Sequence, residues 1–190
     1  MNAEIPHFEL DREKLKQLVH YVCDIAPNPR QLGATRLNKI LFYADTQAYL
    51  ETGSPITGET YVKQKLGPVP KHIGEILAEL KAEEAVAISE ERLAFNVYQE
   101  APYRQRMFLS LREPELDRFT AKEIHIVDAV VHEITELHTA TSISEKSHDI
   151  IWDITEYGEE IPYYASWLRT LEPATEKELA WAAGVLAGRS

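Results

Sequence analysis

Apolar residues recur along this chain at helical spacing in four stretches. Leu15, Leu18, Val19 and Val22 stand at i, i+3, i+4 and i+7, one stripe of a helix. Asp11 precedes them as a suitable N-cap, since its carboxylate accepts from free backbone N–H groups. Pro27 and Pro29 are expected to stop this helix. A second helix is predicted from about Thr35 to Leu50, burying Leu37, Ile40, Leu41, Ala44 and Ala48, with Gly53 as its C-terminal cap. Ile73, Ile76, Leu77 and Leu80 mark a third, opened by Pro70 at its first position. Ile124, Val127, Val131 and Ile134 share a face behind Thr120-Ala121-Lys122-Glu123, a capping box. Ser142 to Glu145 and Thr175 to Glu178 repeat that spelling and predict two further helix starts.

Between these helices the pattern is short and β-like. Thr60 to Leu66 reads as a strand that Gly67-Pro68-Val69-Pro70 breaks. Ala85 to Ile88 and Leu93 to Val97 read as two strands, with Ser89 to Arg92 as their hairpin connection. Met107 to Leu111 is a further candidate strand. The order helix, helix, strand, helix, strand, strand is that of a winged helix. The expected fold is α+β: a mainly α-helical single domain with a small antiparallel β-sheet and a winged-helix-like element order in its N-terminal half.

Composition narrows the function classes. The 190 residues suit one domain. The single Cys23 excludes an internal disulfide framework and a Cys-based zinc cluster, and beside Val22 it reads as inert packing. No apolar run reaches the ~20 residues of a membrane span, and no signal-peptide pattern opens the chain. The cytoplasm is the expected compartment, with no membrane partner. Lys and Arg number 20 against 31 Asp and Glu, a formal charge of −11. That balance opposes nucleic-acid phosphates and anionic lipid. The third helix sharpens the point, because Glu75, Glu79, Glu83 and Glu84 stand where a DNA-reading helix offers Arg, Lys, Asn or Gln.

Enzyme chemistry is not signalled. His125 and His132 are seven residues apart, about 10 Å along a helix, too far to share one metal. Asp128 and His132 are four apart, but no third ligand follows. No G-x-S-x-G, Walker or G-x-G-x-x-G motif occurs. His148, between Ser147 and Asp149, reads as a polar cap rather than part of a triad. No cofactor is expected.

Two stretches carry a resemblance. The first is Leu37-Asn38-Lys39-Ile40-Leu41-Phe42-Tyr43-Ala44-Asp45, then Pro55-Ile56-Thr57-Gly58, then Tyr61 and Gly67-Pro68-Val69-Pro70. The second is the helix from Thr120, the Ser142 to Glu145 segment, and Ser147-His148 with Trp152. Together they resemble the Panacea domain, or SocA-like antitoxin domain, over about residues 11–165. Residues 1–10 then read as an N-terminal extension and 166–190 as a C-terminal helical extension packed on the same domain. The resemblance implies a proteinaceous antitoxin of a toxin–antitoxin system that neutralises its cognate protein toxin by direct binding. A winged-helix-like DNA regulator and an adaptor that delivers a toxin to a Clp protease stand as alternatives, and self-association stays open.

Candidate contact residues follow from both readings. Lys39, Tyr43 and Asp45 lie off the buried stripe of their helix, and they serve either a partner or a local polar network, the network being favoured. Tyr61 belongs to the tyrosine strand of the resemblance. Lys63, Lys65 and Lys71 form a basic run, either a solvated face or a patch for an acidic or nucleotide-bearing partner. Trp152, Tyr157, Tyr163, Tyr164 and Trp167 concentrate aromatics beside Glu156, Glu159 and Glu160, as a core lid or a partner site. His148 completes the candidates.

Overall fold

A computed structural model describes residues 7–93, 103–137 and 155–166 of the chain. Helix α1 is Arg12–Ile25. The Asp11 carboxylate accepts the Lys14 N–H at 2.9 Å and caps it. Its Leu15, Leu18, Val19 and Val22 are fully buried, as their spacing requires. Helix α2 is Pro29–Thr52. Here Pro29 opens a helix instead of merely ending the previous one, because a first-position proline lacks only an N–H that would go unused. Gly33 then leaves the helical path at φ +53°, and the predicted helix follows it. Leu37, Ile40, Leu41, Ala44 and Ala48 are buried. Gly53, at φ +81°, donates to the Tyr49 carbonyl at 2.8 Å and terminates the helix.

Strands β1 (Tyr61–Gln64) and β2 (Gly67–Pro70) pair antiparallel, Tyr61 opposite Pro70 and Gln64 opposite Gly67. The Gly-Pro-Val-Pro segment is therefore a strand, not the breaker its prolines suggest. The Lys71 N–H donates inward to the Thr60 carbonyl at 2.9 Å. By alternation, the ring nitrogens of Pro68 and Pro70 face away from β1, on the outer edge where no donor is needed. Pro70 thus closes β2, and helix α3 begins three residues later, spanning Ile73–Ala82.

Strands β3 (Val86–Leu93) and β4 (Tyr103–Ser110) form a separate antiparallel pair, Val86 opposite Ser110 and Leu93 opposite Tyr103. Ser89 to Arg92 is the body of β3 rather than a turn. The polar stretch is held by its ladder and by a 3.6 Å Glu90–Arg106 ion pair. Met107 to Ser110 are strand, as expected, while Ala94 to Val97 lie outside the described residues. Helix α4 is Ala121–His132, with the Thr120–Glu123 capping box closed in both directions. It runs on into a π-helical turn, Glu133–Leu137. The helix starts expected near Ser142 and Thr175 lie outside the described residues.

A two-residue strand β5 (Glu160–Ile161) pairs with β1, giving the sheet order β2-β1-β5, and a 3₁₀ turn follows over Tyr163–Ser166. The winged-helix element order is present with β2 added, but β1 does not join β3 and β4. The result is an α+β, mainly helical domain. One apolar core draws Leu18, Leu41, Leu80, Phe108, Val127 and Ala165 from helices α1 to α4, β4 and the 3₁₀ turn. Among the described residues no helix is long and apolar enough to cross a membrane.

Candidate functional site

Asp45 lies on the last turns of α2, fully buried. Its Oδ1 accepts the Thr57 N–H at 2.8 Å, and its Oδ2 accepts the Thr57 and Tyr61 hydroxyls at 2.6 and 2.7 Å. Burial pushes this carboxyl up to about 6, while the hydrogen bonds from Thr57, Tyr61 and Ile56 pull the other way. Tyr163 reaches in from the 3₁₀ turn, donating to the Glu59 carbonyl at 2.5 Å with its hydroxyl 3.5 Å from Asp45 Oδ2. Desolvation, then the nearby carboxylates, raises both tyrosines well above the ordinary phenol range. The Glu59 side chain, also buried, accepts the Thr60 and His72 N–H groups and lies 2.9 Å from His72 Nδ1. Edge-on ring contacts of Tyr61 with Phe42, at 5.1 Å, and of Tyr163 with Phe8, at 5.7 Å, wall the network in.

Gly58 explains how this network is closed at the N-terminal side. Its φ is +70°, and a Cβ there would collide with the Glu9 carbonyl oxygen. The backbone of residues 9–11 therefore lies directly over the turn, and Asp11 N–H donates to the Thr57 carbonyl at 2.9 Å.

A second feature faces solvent. Helix α2, the β1–β2 turn and the 155–159 turn enclose a groove of about 430 Å³. Pro68 and Val69 lie along one side and Thr35 and Asn38 along the other. Leu66, 56% exposed, and Tyr157, 68% exposed, stand at its lips. Lys65 is the charged residue in its lining. The turn carrying Tyr157 is pinned to β1. Gly158 N–H donates to the Lys63 carbonyl, Lys63 N–H to the Glu159 carbonyl, and Lys63 Nζ to the Thr155 carbonyl, at 2.8–2.9 Å.

The sequence-derived candidates divide between these two places. Asp45, Tyr61 and Tyr163 belong to the buried network, and Lys39 is buried at 1% exposure. Tyr43 is half-buried against Phe42. Lys63 ties the turn, and Lys65 and Tyr157 line the groove. Lys71 is exposed and 3.5 Å from Glu160, and Tyr164 is exposed elsewhere. His148, Trp152 and Trp167 lie outside the described residues. The pattern missed Thr57, Glu59 and His72 in the network and Leu66, Pro68 and Val69 in the groove. A signal existed for Leu66, an apolar residue at a turn; none marked Glu59 as buried.

Other candidate chemistry is accounted for by structure. Cys23 is buried, and desolvation pushes its thiol up to about 12. Asp128 accepts the Tyr21 hydroxyl at 2.6 Å, and among the described residues no group of three His, Cys, Asp or Glu is placed to hold a metal ion. His20 Nε2 lies 3.2 Å from Ser110 Oγ, but that hydroxyl is within 2.8 Å of the Arg112 carbonyl, a tie between α1 and the end of β4. On α3, Glu75 and Glu79 both pair with Arg12, and Glu83, the residue that caps its end, pairs with Lys16.

The motif helix, the Pro-Ile-Thr-Gly turn and the tyrosine strand thus converge on one buried network, and the Gly-Pro-Val-Pro strand pairs with that tyrosine strand. The family model for the SocA-like antitoxin, Panacea domain, matches residues 37–153, more than half of the chain. The chain belongs to the Panacea domain family. No curated protein and no solved structure matches it. The family match begins within α2, while α1 packs into the same core as the Panacea motifs.

Proposed function

We propose that this chain is a non-catalytic, cytoplasmic antitoxin that neutralises a cognate protein toxin by binding it directly. Membership of the Panacea family carries the reading. The geometry supports it in two ways. The motif carboxylates that would attract an enzymatic interpretation, Asp45 and Glu59, are fully buried and saturated with hydrogen bonds. Exposed apolar and aromatic side chains meanwhile flank an open groove, the kind of surface on which binding energy concentrates. Occlusion of the toxin's active surface is the simplest mechanism for such a part. Delivery to a Clp protease needs the same first contact and differs in outcome, since toxin levels would then fall in a protease-dependent way.

The test is co-expression with the protein encoded by the adjacent gene. Restored growth with unchanged toxin level, and a complex that co-purifies, is the expected result. No rescue and no complex would sink the reading. Operator DNA is the counter-test: a net charge of −11 opposes phosphate, so no tight, salt-sensitive shift is expected.

A further inference from the structure

We propose that the groove between α2, the β1–β2 turn and the Tyr157 turn is the toxin-docking surface, and that its occupant is a surface segment presenting a large apolar side chain beside a carboxylate. The inference rests on the antitoxin reading and deepens it. Three observations point to that occupant.

First, the groove is lipped by two large, largely exposed apolar side chains, Leu66 and Tyr157, 91 residues apart in sequence but lining one space. A small ligand is normally buried over most of its surface. Lips this exposed leave one side of any guest uncovered, which suits a guest that is itself part of a protein surface. Second, Tyr157 is not on a loose loop. Three hydrogen bonds to Lys63 hold the turn, Gly158 takes it through φ +85°, and the Glu156 N–H is fixed by the Glu159 carboxylate at 2.9 Å. An aromatic anchor carried on an already ordered backbone loses less entropy on binding than one on a loose loop. Third, the lining carries one charge, the ammonium of Lys65, which is exposed and makes no ion pair among the described residues. Two neighbouring acids are engaged elsewhere, Glu159 within its own turn and Glu160 toward Lys71. On a chain of net charge −11, a cationic lining selects a carboxylate and repels a basic guest.

The experiment measures the affinity of the full chain for the product of the adjacent gene, together with growth rescue. Leu66→Asp and Tyr157→Ala are each expected to weaken binding at least tenfold and to abolish rescue. Lys65→Glu should weaken it about tenfold and flatten its salt dependence. Toxin variants selected to restore binding to Lys65→Glu should exchange an Asp or Glu for Lys or Arg. Leu109→Ser, at an exposed leucine on the β3–β4 pair, should bind as the parent does. Thermal melts by circular dichroism show that the variants are folded, and Leu66→Ala replaces Leu66→Asp if that one is not. If the parent chain binds and all three groove variants bind within twofold of it, the docking proposal is overturned alone. If the parent chain neither binds nor rescues, the antitoxin reading falls and takes the docking proposal with it. Binding of ATP by the free chain that Tyr157→Ala abolishes would assign the groove to a nucleotide and overturn the proposed occupant.

Discussion

A buried carboxylate is stable only when its lone pairs are filled, and Asp45 fills them from Thr57 and Tyr61. Asp45→Ala would leave three buried donors short of a partner, and we expect a loss of about 3 kcal/mol in unfolding free energy by urea denaturation. The pH dependence has an unusual sign. The folded-state value, about 6, lies above the ordinary 3.8. Between those values the folded chain keeps a proton that the unfolded chain has released, so this group's contribution to stability falls as pH rises from about 4 to 6. At about 1.4 kcal/mol per pKa unit the fall is ~3 kcal/mol. Carboxylates nearer the surface act in the opposite sense: Glu51 is lowered by hydrogen bonds from Gln47 and Lys122, and Glu79 by that from Arg12. The readout is therefore the difference between parent and Asp45→Asn, which should lose the downward slope. At Gly58 the backbone conformation and the Glu9 carbonyl both exclude a side chain. Gly58→Ala is expected to cost about 2 kcal/mol and to speed hydrogen exchange at the Asp11 amide, which donates across that contact.

Helices announce themselves because one face must repeat every 3.6 residues, and α1, α2, α3 and α4 all did so. The Thr120–Glu123 capping box was equally legible, since its two hydrogen bonds depend on residue types three apart. Thr120→Ala should lower stability by about 1 kcal/mol in the same denaturation assay. Glu123 also reaches Lys14 of α1 at 2.7 Å, so the cap fixes how the two helices meet. Strands were harder to read. β3 carries Ser89, Glu90, Glu91 and Arg92 in a row, which has no apolar face to announce it. Its partner 103–110 supplies the missing reason, and that pairing is not written in either segment alone. β2 was hidden by its prolines, whose meaning depends on which edge of the sheet they occupy. The same limit applied to the groove. Lys65 and Tyr157 each stood out, one in a basic run and one among aromatics, but only the pairing of Lys63 with 155–159 brings them together.

At the scale of the molecule, one core is shared by α1, α2, α3, α4 and the β3–β4 pair. Leu41 sits fully buried within it. Leu41→Ala should cost about 3 kcal/mol, with circular dichroism and tyrosine fluorescence reporting the same shifted midpoint, because no described element has a core of its own. The charge of −11 is also organised rather than spread: glutamates of α3 lock onto Arg12 and Lys16, while Lys65 is left to the groove. The outward-facing ring nitrogens of Pro68 and Pro70 give this end of the molecule a further property. A guest strand brought alongside β2 would find no donor at Pro68 or Pro70, and β2 itself is largely buried. The sheet is closed to extension there, and two copies of the chain cannot zip together along it. Recognition beside β2 must run through side chains, which frees the partner's docking segment from having to be extended.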